Sequence, residues 1–201
     1  MRSFVFIAGF VILGVFSCDT TIRTDGSSGR ILPNVTGGAG EVLVVMDEYV
    51  WDGSAGTSLK AILEEEYPAL PQVEPMFRVT QITSASFDNL FRFHRSVVMA
   101  TINRSAEETQ IRFRKDVWAR PQIVIQMQAS SASGIEQLIQ KNRGKIQGFL
   151  VRYDRDRVAE SYEETKDLEI QNKMAEQHHI RLSIPRGYNI DLFKESYSSV
   201  S

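Results

Sequence analysis

Glu41-Val42-Leu43-Val44-Val45-Met46 is a short run in which five of six residues are apolar and three are valine. Its length is that of a strand, and branching at Cβ favours the pleated conformation. A turn-rich stretch, Leu32 to Gly40 (LPNVTGGAG), leads into it, and a polar segment, Asp47 to Gly56, follows. The run therefore reads as a buried strand, the first element of a folded domain.

Outward from this strand, the C-terminal side alternates between two periods. Asp47 to Gly56 reads as a loop carrying Trp51. Thr57 or Ser58 is placed to cap a helix through Tyr67, with Leu59, Ile62, Leu63 and Tyr67 on one face. Pro68, Pro71 and Pro75 end it, because proline lacks the N–H that a helix interior needs. Phe77 to Ile82 reads as a second strand, Phe87 to Phe93 as a short helix and Val97 to Ile102 as a third strand. In Thr109 to Lys115, Ile111 and Phe113 alternate with Arg112 and Arg114, the pattern of a half-exposed strand; Gln122 to Met127 is a further strand. From Ser133 the period becomes helical, through Ile135, Leu138, Ile139, Ile146, Phe149, Leu150 and Tyr153, with a break expected at Gly144 or Gly148. Helical composition resumes to about Gln177, and Ile180 to Ile184 reads as a last strand stopped by Pro185. The expected fold is α+β, a mostly antiparallel sheet with helices on one face.

On the N-terminal side, Phe4 to Phe16 is an unbroken apolar run with Arg2 as the only charge before it. It is shorter than the roughly 20 residues needed to span a bilayer and matches the apolar core of a signal peptide. It ends at Val15-Phe16-Ser17-Cys18, the pattern of a bacterial lipoprotein signal: an aliphatic residue, a small residue, then the cysteine that receives lipid. Cys18 is the sole cysteine of the chain. The polar Asp19 to Arg30 (DTTIRTDGSSGR) has tether composition. The expected organisation is a signal peptide at 1–17, the lipidated Cys18 and a flexible tether at 18–31, and one α+β domain at 32–201. That places the protein in a bacterial cell envelope, the outer membrane rather than the inner, held by palmitate-type acylation.

Composition excludes several classes. The chain has 201 residues, 42% of them hydrophobic, with 23 Lys plus Arg against 25 Asp plus Glu. That is too apolar and too balanced for a disordered chain, and one cysteine excludes an internal disulfide framework. A net charge of −2 gives no overall field for nucleic acid. The charge is nonetheless uneven. Residues 19–91 hold 4 basic and 11 acidic side chains, whereas 92–120 hold 7 basic and 3 acidic. Arg112, Arg114, Lys115, Trp118 and Arg120 form the candidate binding face, suited to an anionic envelope partner, a polyanionic glycan or lipid headgroups.

Motifs for catalysis are weak. Gly37-Gly38-Ala39-Gly40 precedes a strand and no lysine follows, so it reads as a turn rather than a phosphate loop. His178 and His179 are adjacent and diverge, so no metal is expected, and no cofactor. His94, as a general base, and Asp47, after the first strand, are the weak catalytic candidates for a hydrolase-type alternative. The favoured reading is a binding or assembly module.

Several segments resemble a family of envelope lipoproteins of Bacteroidota known as domain of unknown function 4837. They are Leu32-Pro33-Asn34 with Gly40 to Asp47, Glu74 to Phe77, His94-Arg95, Lys115 to Gln122, and Ile184 to Tyr188. The resemblance implies a lipid-anchored envelope protein with no established activity. Members of that family usually continue well beyond the Pro-x-Gly-Tyr segment, so the resemblance implies either a short member or a reading frame incomplete at Ser201.

Overall fold

The computed structural model describes residues 31–68 and 70–201. Leu32–Ser201 forms one compact unit. The signal segment, Cys18 and the tether lie outside the described residues. The α+β class expected from sequence is what the chain adopts. A five-stranded sheet is built from β1 (Glu41–Met46), β2 (Arg78–Ile82), β3 (Ser96–Ile102), β4 (Gln110–Lys115) and β5 (Ile123–Ala129), in the order β2-β1-β3-β5-β4. A separate antiparallel hairpin joins β6 (Ile190–Lys194) to β7 (Tyr197–Val200).

The five-stranded sheet is not mostly antiparallel. β1 pairs in parallel with both β2 and β3, and β3 with β5; only β4 runs antiparallel, against β5. The physical signal is the continuity of the apolar runs. Val42 to Met46, and Ile123 to Ile125, are buried residue after residue, which happens only when both faces of a strand are covered, as in parallel sheets. The strand with clean alternation, β4, is the antiparallel edge. The connection from β1 to β2 passes over one face through α2 (Ser54–Leu63). The return from β2 to β3 passes over the other, through 3-10 turns at Ser84–Ser86 and Phe91–Phe93. Opposite directions on opposite faces give both crossovers one hand, as strand twist requires.

All the helices that touch the sheet pack on one face. α2, α3 (Ala132–Lys141) and α4 (Arg143–Thr165) cover Val42, Val44, Met46, Val98, Ala100, Ile125 and Met127 with Leu59, Ile62, Leu63, Ile135, Ile139, Ile146 and Leu150. Helix boundaries differ from the sequence expectation where tertiary contacts dictate them. Glu48–Trp51 forms a short helical turn, α1, within the expected loop, and α2 starts at Ser54 rather than Thr57. The corner between them needs Gly56, since a Cβ there would lie 1.8 Å from the Trp51 carbonyl oxygen. The long helical stretch breaks at Asn142, not at Gly144 or Gly148, because the Asn142 amide Nδ2 donates to the Leu138 carbonyl and closes α3. The expected helix at Phe87–Phe93 contracts to a single 3-10 turn. A second break, at Lys166, precedes α5 (Leu168–His178), capped by the Asp167 carboxylate. Ile180–Ile184 is irregular chain rather than a strand; His179 turns it in a left-handed conformation (φ 56°), and the Ile184 carbonyl accepts from Asp167 N–H at 2.8 Å.

Candidate functional site

Paired residues on neighbouring strands point to the same face, so register defines rows across the sheet face opposite the helices. One row is Thr80, Leu43, Val97, Val124, Arg114. The next is Ile82, Val45, Met99, Gln126, Arg112, and the last is Thr101, Gln128, Gln110. Polarity rises along two directions, toward edge strand β4 and toward the C-terminal ends of the parallel strands. The apolar corner is covered: Leu43, Val45, Val97 and Val124 lie under Phe87, Phe91, Val117 and Trp118. The polar corner is open. It forms a groove of about 520 Å³ lined by Thr101, Arg104, Gln110, Arg112, Gln126 and Gln128, among others. Gln110 and Gln128 touch across the strands at 3.4 Å. Among the described residues, Arg104, Arg112 and Arg114 enter no ion pair.

The five residues of the expected binding face do not share a surface. Arg112 and Arg114 face the open side together. Lys115 faces the helix side, its Nζ 4.2 Å from the centre of the Tyr153 ring. Trp118 is half-buried and meets Phe87 edge-on at 5.4 Å, so it covers core rather than presenting a stacking platform. Arg120 lies 3.8 Å from Asp116 and lines a second crevice beside α4 with Lys115, Tyr153 and Arg157. Arg104, Gln126 and Gln128 were the missing members. Their signal is weak in the sequence, because a glutamine inside a strand becomes informative only once its neighbours' faces are known.

The catalytic candidates are separated. Asp47 follows β1 and stands level with Thr101, seven residues from His94 and roughly 23 Å away at ~3.3 Å per strand residue. His94 precedes β3 and is held in place: its Nδ1 lies 2.9 Å from the Ser96 carbonyl oxygen, and Gly37 packs so closely on its Nε2 that a Cβ there would sit 2.6 Å away. Burial pushes its pKa below the ordinary 6.5, because the charged ring is the form that loses solvation. Its neighbourhood is an ionic cluster that no sequence signal marked. Arg157 of α4 is almost fully buried. It donates to the Arg95 carbonyl at 2.8 Å, to Ser96 Oγ at 2.9 Å and to Asp154 Oδ1 at 3.2 Å. Asp154 also meets Arg95 at 3.3 Å and accepts from Gly40 N–H at 2.9 Å. Buried Gln122 donates to the Arg92 and His94 carbonyls at 2.6 and 2.8 Å. Arg157 and Asp154, paired with each other on α4, reach Arg95, Ser96 and Gly40, and Gln122 holds the chain that leads into β3, so the cluster is a clasp between the helix layer and the N-terminal ends of β1 and β3.

The glycine-rich turn serves the same end of the sheet. Gly38 N–H donates to the Glu41 carboxylate at 2.6 Å, and that bond holds the Glu41 carboxyl below its usual range. The backbone donors bind the chain's own carboxylates. His178 and His179 diverge: His178 Nε2 lies 2.6 Å from Ser198 Oγ, while His179 caps α5. Among the described residues, no group of three His, Cys, Asp or Glu side chains is placed to hold a metal.

The fold and site thus define a mixed-sheet α+β domain with one helix-covered face and one partly open, basic face. The chain belongs to the family described as Domain of unknown function (DUF8532), whose profile matches residues 35–163. This is a different family from the one its segments resemble. The matched span contains the whole five-stranded sheet and α1 to α4 up to Glu163, and ends before α5 and the hairpin. No curated protein and no solved structure matches the chain.

Proposed function

We propose that this protein is a lipid-anchored envelope binding module whose open sheet face takes an anionic partner. The observation that carries the reading is the trio Arg104, Arg112 and Arg114. They stand exposed beside half-buried Gln110, Gln126 and Gln128, and among the described residues they have no acidic partner. A groove with fixed polar side chains and uncompensated cations gives an anion both charge and directional hydrogen bonds. The anchor rests on Cys18 at the end of the Phe4 to Phe16 apolar run.

Affinity capture from envelope fractions tests the reading. The charge-reversed variant Arg112→Glu/Arg114→Glu is expected to lose partners that the unaltered protein retains. An unchanged set of captured partners removes the basic face from consideration. For the anchor, Cys18→Ala is expected to abolish palmitate labelling; retained labelling would sink it.

A further inference from the structure

We infer that the partner's contact segment is an extended peptide strand of alternating acidic and apolar residues, which adds to the sheet along β4. This rests on the binding-module reading above and names the class of partner. β4 is an edge of the five-stranded sheet. Asp116 N–H donates to the Gln122 carbonyl, and Ile123 N–H donates toward β3, to the Arg95 carbonyl. The pair Lys115 and Ile123 therefore exchanges no bonds between β4 and β5, and the backbone of Lys115, Phe113 and Ile111 faces away from the sheet. Among the described residues these groups have no further backbone partner, and they form a row of N–H and C=O groups at a repeat of roughly 6.8 Å, which only another strand can match group for group.

The side chains of β4 state what that strand carries. Arg112 and Arg114 lie exposed on one face. Ile111 and Phe113, on the other, are half-buried against the helix-side core and keep apolar surface at the edge. An incoming strand obeys the same two-residue period, so acidic side chains beside the two arginines place apolar ones beside Ile111 and Phe113. A second copy of this chain fits poorly, because pairing β4 with β4 would bring the arginines of both strands onto one face. A glycan or other flexible polyanion satisfies the arginines but leaves the backbone row unmatched.

The test uses the full chain and the peptide Ac-Glu-Val-Glu-Val-Glu-Val-Glu-NH2, with two analogues N-methylated either at every valine or at every glutamate. N–H groups of a strand point alternately to its two edges, so antiparallel strand addition with valines beside Ile111 and Phe113 requires the valine-methylated analogue to bind about tenfold more weakly or worse while the glutamate-methylated one stays within about twofold of the parent. Bound peptide should also slow amide exchange at Ile111, Phe113 and Lys115, and Arg112→Glu/Arg114→Glu should remove binding. Equal binding by both analogues, or saturation by a heparin-type polyanion with no protection of β4, overturns strand addition and leaves the anionic-partner reading standing. Absence of peptide binding alongside charge-sensitive capture from envelope fractions does the same. If capture is also insensitive to the charge reversal, both fall.

Discussion

The two faces of the central sheet are made from the same strands, yet they solve different problems. On the helix side most side chains from β1 to β5 are apolar and covered, Gln81, Ser96 and Lys115 excepted, and even the edge strand contributes Ile111 and Phe113. On the opposite side, among the described residues, only the corner around Leu43, Val45, Val97 and Val124 is roofed, and the rows end at β4 in Arg114, Arg112 and Gln110. A sheet whose helices all lie on one side must cover the other with loops or leave it wet. Here the crossover from β2 to β3 reaches across the apolar corner and stops. The lesson is that side chains of the helix face are committed to stability, whereas those at the open corner are free to serve a ligand.

Substitutions can break this contrast. The largest effect is expected on the helix face: Ile125→Ala removes a fully buried side chain from β5 and should lower unfolding free energy by about 3 kcal/mol in urea titration. A smaller loss, about 2 kcal/mol, is expected for Trp118→Ala, which strips cover from the apolar corner but from a half-exposed position. Loss of the Trp118 cover with no change in stability would mean that the second face is not a core at all. Ser131→Ala deletes the side chain that caps α3 by accepting from Gly134 N–H, and should cost about 1 kcal/mol by the same titration.

Acid sharpens the comparison at the clasp. His94 has a depressed pKa in the folded protein, so between its ordinary 6.5 and that lower value the unfolded chain takes up a proton that the folded one refuses. Stability therefore falls as pH drops below about 6.5, and His94→Gln should flatten that part of the pH profile followed by thermal melts. The smallest effect belongs to the open corner: Arg112→Glu/Arg114→Glu should leave unfolding free energy within about 0.5 kcal/mol of the unaltered protein. A larger loss would show that the arginines serve the fold.

Much of the sheet was legible locally. The first strand was read at the residues it occupies, and the other four sheet strands to within one or two. The alternation of Ile111 and Phe113 with Arg112 and Arg114 described a half-exposed strand, which the fold places at an edge of the sheet. The elements beyond Thr165 were less legible. Ile180–Ile184 is strand-like in composition but finds no neighbour to pair with, whereas the β6–β7 hairpin forms from a stretch with weaker apolar patterning. Of the site, Arg112 and Arg114 could be read together because residues two apart on a strand share a face. Lys115, Trp118 and Arg120 could not, because β4 ends at Lys115 and the Asp116 turn (φ 50°) redirects the chain.

By itself, the sequence determined where the five strands of the central sheet lie, the apolar face of the helices, the basic character of the middle third and the isolation of Cys18. These are properties of neighbours in the chain, set by side-chain period and charge. Only the tertiary structure decided that four strands run parallel, that His94 and Asp47 stand at opposite ends of the sheet, and that Arg157 is buried in a clasp with Asp154 and Arg95. It alone brought Arg104, Gln126 and Gln128 beside Arg112. Those facts depend on pairings between residues tens of positions apart, which crossover handedness and the burial of both strand faces fix and no local pattern encodes.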